Sequence, residues 1–164
     1  KNFSFAVRAF GEYVAAHGPA RLVIIGESNS ADERRELQEL VDEIGLENSV
    51  MLLGLRSDAQ RFYSLFDVFF MPSLYEGLPI SAVEAQAAGL PCVYSTGVPA
   101  ETDIAGSGSF TALDAPIEAW VAALSAALSG GRYLEAPARL EAAGYSAEAN
   151  AERLMEFYEG LVEK

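Results

Sequence analysis

The chain has 164 residues, 51% of them hydrophobic, and a formal net charge of −13 at pH 7. This length and composition suit one globular domain and exclude a disordered chain. The negative charge argues against nucleic acid as the main partner, so an anionic ligand must be held by local features of its site. No apolar run approaches the roughly 20 residues that a membrane-spanning helix needs. The single cysteine, Cys92, excludes an internal disulfide and fits a reducing compartment.

Hydrophobic patterning in the first half of the chain alternates between helix and strand. Apolar residues recur at helical spacing from residue 3 to residue 14, and the segments 22–26 and 49–54 have the pattern of buried strands. Between those strands a capping box at 30–33 begins a helix that Gly45 ends. The elements predicted here are a helix over 1–18, a strand over 22–26, a helix over 30–44, a strand over 49–54 and a short helix within 57–66.

The second half continues the alternation and ends in two helices. The predicted elements are strands over 67–73, 91–95 and 108–113, with helices over 79–88, 116–128 and 146–161. Strands that alternate with helices predict a parallel sheet. The fold class is therefore α/β, with a Rossmann-like parallel sheet that carries helices on both faces.

Ligands of open parallel sheets bind beyond the carboxyl ends of the strands. Three segments bring unusual residues to that edge: Gly26 with Glu27, Gly54 to Arg56, and Ser73 to Ile80. The third joins a strand to a helix, and the free amides of Leu78 and Ile80 are expected to point back at the sheet edge. Such a helix N-terminus favours a phosphate group without any added charge.

Glu84 is an unexpected carboxylate on that same helix. The residues three and four positions away include Ile80, Ser81 and Ala88, and none is a Lys or Arg. The pattern places Glu84 on the apolar side, where an unpaired carboxylate would cost several kcal/mol and must meet a distant cation, solvent or ligand donors. A ribose diol suits its two oxygens, whereas a helix with little covering would simply let Glu84 reach water. Glu76, beside the helix start, would then lie nearer the phosphate side of the same ligand.

The stretch "PSLYEGLPISAVEAQAAGLP" carries a resemblance to a known family. It resembles the Glu-x7-Glu signature of retaining group 1 glycosyltransferases with the two-domain GT-B fold, and Glu76 and Glu84 match its two glutamates. The segments "KNFSFAVRAF", "RLVIIGE", "VMLLGLRSDAQRFYSLFDVF" and "GVPAETD" extend the match in order over nearly the whole chain. The tail "EAQAAGLPCV" is most similar to bacterial enzymes that build capsular polysaccharides or exopolysaccharides.

The resemblance implies that residues 1–164 form a single nucleotide-sugar-binding domain, the C-terminal half of such an enzyme, without the acceptor-binding N-terminal domain. It implies no metal and no cofactor besides the donor substrate. Glu101 matches a family glutamate whose role the residues do not reveal. The implied site residues are Glu76 as the catalytic residue that contacts the donor sugar, Glu84 for the ribose, Lys1 for the diphosphate, the amides of Gly77, Leu78 and Ile80 for sugar and diphosphate, and the backbone around Leu55 and Arg56 for the base.

The implied reaction moves a sugar, most simply a hexose, from a nucleotide-diphosphate sugar to a glycan or lipid-linked acceptor, with retention of configuration. A cytoplasmic enzyme is expected, with the inner face of the membrane as a second location and peripheral association of the full-length enzyme there. The chain by itself is expected to be inactive, since half of the cleft lies elsewhere. The alternative is a non-catalytic nucleotide-sugar-binding or assembly module of the same fold.

The sequence departs from the family at its start. The family's first strand and an arginine lie before the position of Lys1, and that strand is central, between those predicted at 22–26 and 67–71. The sheet must then close without it, or another chain must fill the gap, so strand exchange or a dimer is expected.

Overall fold

The computed structural model describes residues 1–26 and 30–162. The helices are α1 (Phe3–His17), α2 (Ala31–Glu43), α3 (Ile80–Ala87), α4 (Ile117–Gly130), α5 (Ala136–Ala142) and α6 (Ala147–Val162). The strands are β1 (Leu22–Ile25), β2 (Val50–Gly54), β3 (Phe69–Met71), β4 (Cys92–Ser95) and β5 (Gly108–Thr111). Two short 3-10 helices cover Ala59–Ser64 and Ala100–Thr102.

The α/β architecture predicted from the sequence is confirmed, with every predicted strand and helix present within a few residues of its expected bounds. Two elements were missed, α5 and the 3-10 helix Ala100–Thr102. Helix α5 buries only Ala136 and Leu140, so its 7 residues are too few to show a helical period.

All strand pairs are parallel, and they form two separate sheets. Strand β1 pairs with β2, while β3, β4 and β5 form a second sheet in that order. Among the described residues no pairing joins β1 to β3. The interruption falls between the two strands that the sequence analysis expected to flank a further family strand, and it leaves one edge of β1 and one edge of β3 unpaired.

Strands β3 and β4 send successive side chains to opposite faces of their sheet, as the period of a strand requires. Met71 and Tyr94 pack with Ala82 and Ala85 of α3 on one face. On the other face Val93 packs against α4, with partly buried apolar residues of α1 around them. This three-stranded sheet therefore carries helices on both faces.

Helix α1 connects the two sheets across the gap. Val7 and Phe10 pack with Ile24 of β1 in one hydrophobic cluster. Phe5 of the same helix meets Trp120 of α4 edge to face, with ring centroids 5.1 Å apart, in the cluster that covers the second sheet. One helix thus holds both halves of the interrupted sheet in place.

Helix α6 lies on the surface from Ala147 to Leu161. Its large apolar side chains are 52% to 62% exposed, and they are Leu154, Met155, Phe157, Tyr158 and Leu161. Across residues 1–26 and 30–162, no helix combines the length and apolar character needed to cross a bilayer.

Candidate functional site

The loop between β3 and α3 is fastened to the segment that follows β4. Ser95 Oγ donates a hydrogen bond to the carbonyl of Ser73, and both residues are fully buried. The amide of Glu76 donates to the carbonyl of Gly97 at 3.0 Å. These bonds fix the loop at the carboxyl edge of the sheet before α3 begins.

Helix α3 begins at Ile80, with Pro79 as its N-cap and no side chain capping it. Four amides at this point make no hydrogen bond within the described residues, those of Gly77, Leu78, Ile80 and Ser81. Unsatisfied N–H groups at a helix start carry partial positive charge and bind anions. The expectation that free amides lie here is met, although the helix starts one residue later than the sequence suggested.

Lys1 and Glu76 form an ion pair above this loop. The distance from Lys1 Nζ to Glu76 Oε1 is 2.6 Å, and the Glu76 side chain is only 14% exposed. Burial raises the pKa of Glu76, but the hydrogen bond of Lys1, the nearby Ser73 hydroxyl and the charge of Lys1 together outweigh that effect and hold this pKa below its usual value. The sequence predicted both residues at one site, and the structure puts them in direct contact.

Asn2 positions Lys1 against the loop. Its Nδ2 donates to the carbonyl of Pro72 at 3.0 Å, and its backbone is left-handed, with φ of 61°. Asparagine tolerates this conformation better than most residues do. The only sequence signal for this anchor is an asparagine directly before the first helix.

Glu84 is exposed, so its predicted place on the apolar side of the helix is wrong. The buried face of α3 consists of Ala82, Ala85 and Gln86. Ile80, one helical turn before Glu84, is itself 72% exposed. Ala87 is exposed as well, so Glu84 lies on the open side of the helix and its carboxylate reaches water, as the alternative interpretation held.

Glu84 nevertheless has one protein partner, which the sequence did not reveal. Tyr63 lies on the 3-10 helix Ala59–Ser64, and its hydroxyl donates to Glu84 Oε2 at 2.9 Å. Burial first, and then the bond to this carboxylate, raise the pKa of Tyr63 above its ordinary value. The two residues are 21 positions apart, too far for helical or strand spacing to connect them.

Gln86 is a second residue that the sequence analysis missed. It is fully buried, and its Nε2 donates to the carbonyls of Ala82 and Thr102 at 3.1 and 2.7 Å. Its Oε1 accepts from the amide of Ala105 at 2.8 Å. The side chain thus joins α3 to the segment after β4, and a polar residue in a run of small apolar ones was its only signal.

Arg132 is a third. Its guanidinium donates to the carbonyl of Ala88, where α3 ends, at 2.6 Å. It also donates at 2.7 to 3.1 Å to the carbonyls that close the 3-10 helix, those of Tyr63, Ser64 and Phe66. Because it lies in an irregular segment between α4 and α5, no periodic pattern marks it.

Leu55 and Arg56 follow β2 beside a separate cleft of about 600 Å³, whose wall includes Leu55, Gly54, Gly26 and Phe3. Arg56 forms a two-pronged pair with Asp58, at 2.8 and 2.9 Å. Its hydrogen bonds lower the pKa of the Asp58 carboxyl. The segment therefore offers mainly backbone and Leu55, which is 71% exposed. Glu27, predicted at this edge with Gly26, lies outside the described residues.

Several other residues show no sign of a role in the site. Glu101 lies exposed on the second 3-10 helix and makes no hydrogen bond or ion pair with any described residue. Cys92 is buried, and burial raises its pKa to about 11, as expected of a structural thiol. Over residues 1–26 and 30–162, no group of three or more His, Cys, Asp or Glu could hold a metal ion.

Comparison with known proteins identifies the family of the chain that carries this loop. The family described as "Glycosyl transferases group 1" matches residues 1–130. EpsF of Bacillus subtilis (strain 168), a protein named as a glycosyltransferase, is 35% identical over 177 aligned positions that cover 100% of this chain and 43% of EpsF. The chain therefore spans about two fifths of the length of this relative.

Solved structures show the same fold. Sucrose-phosphate synthase from Thermosynechococcus elongatus superposes with a TM-score of 0.78 at 23% identity, over 99% of this chain and 43% of that one. The pneumococcal O-GlcNAc transferase GtfA, in complex with UDP and GlcNAc, superposes with a TM-score of 0.65 at 22% identity, over 99% of this chain and 33% of that one. The chain belongs to the group 1 glycosyltransferases and has the C-terminal domain of their GT-B fold.

Proposed function

We propose that this domain binds a nucleotide-diphosphate sugar at the carboxyl edge of β3. The observation that carries the proposal is the arrangement at the start of α3. Four unpartnered amides lie along the chain between Glu76 and Glu84, and Lys1 contacts Glu76. Amides at a helix start and a lysine suit a diphosphate, while two carboxylates suit sugar hydroxyls.

Each part of the donor has a counterpart in this arrangement. Glu84 takes the ribose diol, and Glu76 takes the donor sugar and acts as the catalytic residue. The base lies beside the backbone of Leu55 and Arg56, at the cleft of about 600 Å³. The diphosphate lies against Lys1 and the amides of Gly77, Leu78, Ile80 and Ser81.

In the reaction these groups would stabilise the negative charge of the leaving nucleoside diphosphate. A lysine and oriented amides do this best in a preorganised site, and we propose that no metal takes part. When the donor binds, Lys1 must turn from Glu76 towards the phosphates, which frees the Glu76 carboxylate for the sugar.

The reaction proposed for the full-length protein is transfer of a hexose, with retention of configuration, to a glycan or lipid-linked acceptor in bacterial polysaccharide synthesis. The likeness to EpsF, a protein named as a glycosyltransferase, supports the glycosyl-transfer part of this assignment. GtfA was solved with UDP, so UDP is the first nucleotide to test. We propose that the enzyme is cytoplasmic and associates peripherally with the inner face of the membrane. We also propose that the acceptor binds outside this chain. The chain by itself would then bind the donor without transferring its sugar.

Calorimetric titration with UDP, GDP and ADP and with their sugars tests the donor site. Glu84→Gln should weaken the binding of free nucleotide ten-fold or more, because a hydrogen bond to a charged acceptor contributes roughly 1.5–3 kcal/mol. Its melting temperature should change little, since Glu84 is exposed and glutamine can still accept from Tyr63. Glu76→Gln should spare free nucleotide and weaken only the intact nucleotide sugar.

Glu47→Gln is the matched control, because Glu47 is exposed and has no partner among the described residues. It should bind and melt like the unchanged chain. Normal binding by Glu84→Gln, together with a melting temperature lowered by several degrees, would make Glu84 a structural residue and refute the proposed site.

The unpaired edges of β1 and β3 lead to a separate expectation about partners. Unpaired strand edges recruit other strands, so we propose that the gap is filled by strand exchange or in a dimer. Light scattering during size-exclusion chromatography should then give twice the mass of the chain. A stable monomer at every concentration, with amides of β1 and β3 protected from hydrogen exchange, would contradict this.

A further inference from the structure

We propose that Tyr63 is a positioning residue for Glu84, holding its carboxylate in the orientation that receives the ribose diol of the donor nucleotide. The inference rests on the proposed function, because Tyr63 acts through Glu84 and does not itself touch the ligand. The carboxylate is exposed and has no other side-chain partner among the described residues. Without Tyr63 it would move freely between rotamers.

The bond leaves the carboxylate able to bind a ligand. Tyr63 occupies one lone-pair direction of Oε2, whereas an ionised carboxylate offers about four such directions on its two oxygens. Since burial raises the pKa of Tyr63, its hydroxyl remains protonated and can only donate to this carboxylate at neutral pH. Oε1 and the rest of Oε2 are left for the two hydroxyls of a ribose.

Tyr63 is itself held rigidly. It is 9% exposed, and its ring centroid lies 6.4 Å from that of Phe66 and 6.2 Å from that of Phe69. Arg132 binds the main-chain carbonyl of Tyr63 and also that of Ala88, at the end of the helix that carries Glu84. One guanidinium therefore ties together the two elements whose side chains form the hydroxyl–carboxylate bond.

A rigid partner matters because a free glutamate side chain loses rotamer freedom when it binds a ligand. Tyr63 removes that freedom before the nucleotide arrives, so the carboxylate is preorganised for the diol. Loss of the hydroxyl should then weaken the contact with the ribose and leave the contacts with base and phosphate unchanged.

The test is a comparison of two nucleotides on one set of variants. UDP, or whichever of GDP and ADP binds more tightly, is titrated beside its 2′-deoxy form. Tyr63→Phe keeps the ring and should weaken the ribonucleotide by about three- to ten-fold, as expected for one hydrogen bond. Binding of the 2′-deoxy form should be weakened less, so the ratio of the two affinities, ribonucleotide over 2′-deoxynucleotide, should fall. Tyr145→Phe is the control, because no partner of the Tyr145 hydroxyl exists in the described chain.

A double-mutant cycle separates this inference from the proposed function. If Tyr63 acts through Glu84, Tyr63→Phe should weaken binding no further in a Glu84→Ala background, because alanine leaves the Tyr63 hydroxyl no side chain to position. Equal weakening of both nucleotides by Tyr63→Phe, or an unchanged preference for ribose, would overturn the positioning role while the nucleotide site stands. If Glu84→Gln itself binds both nucleotides normally, the proposed site fails, and the role of Tyr63 falls with it.

Discussion

Replacing Gly97 by alanine should lower the free energy of unfolding by about 3 kcal/mol, the upper range for overpacking a core. An added Cβ would lie 2.3 Å from the carbonyl oxygen of Leu74 and 2.7 Å from that of Ser73. Both atoms belong to the backbone and cannot rotate away, so the loop before α3 must move. In a domain of this size the melting temperature should fall by roughly 6–12 °C.

The same substitution should weaken nucleotide binding more than ten-fold, because the displaced loop carries Glu76 and the free amides. Thermal melting and calorimetric titration with UDP measure the two effects. Gly130→Ala, at the end of α4, is the matched control, since nothing lies within 4 Å of its added Cβ; it should leave nucleotide binding unchanged and should not lower the melting temperature. A Gly97→Ala chain that melts and binds normally would show that the loop does not depend on this close approach.

Replacing Gln86 by leucine should cost about 3 kcal/mol or more of stability. Leucine nearly fills the same space but makes no hydrogen bond, so the amide of Ala105 and the carbonyl of Thr102 lose their buried partner. Each buried polar group left unpaired costs about 1–3 kcal/mol. Thermal melting should show a drop of roughly 6–12 °C.

Gln60→Leu controls for the chemical change, because Gln60 is exposed and lacks a partner within the described residues. Its melting temperature should stay within about 2 °C, as expected for a surface substitution. If Gln86→Leu melts no lower than this control, the amide of Ala105 finds another acceptor, and the link from α3 to the segment after β4 contributes nothing.

The order and type of the secondary-structure elements were predictable because the strands and long helices carry local sequence signals. The parallel arrangement followed from alternation alone, and the break between β1 and β3 followed from the resemblance to a known strand order. Helix α5 was not predictable, since two buried positions do not make a pattern. Its place depends on contacts with α3, which no local sequence feature records.

The candidate site was predictable only in part. The resemblance placed Lys1 and Glu76 together, and the structure pairs them. The predicted environment of Glu84 was wrong because its hydrophobic neighbours were taken as buried, whereas Ile80, one helical turn before it, is 72% exposed. Tyr63, the partner of Glu84, lies 21 residues away, and Thr102, one partner of Gln86, lies 16 residues away, so only the folded chain brings these groups together.

The contacts of Arg132 have a consequence for how this domain can vary. Its four acceptors within the described part of the chain are all main-chain carbonyls, at positions 63, 64, 66 and 88. Any residue supplies a carbonyl, so side chains at those positions can change without removing the link, and Arg132 alone cannot. Among related sequences we expect arginine to be conserved at position 132 even where Ser64 and Ala88 are replaced. We expect the tyrosine at 63 and the glutamate at 84 to be replaced together.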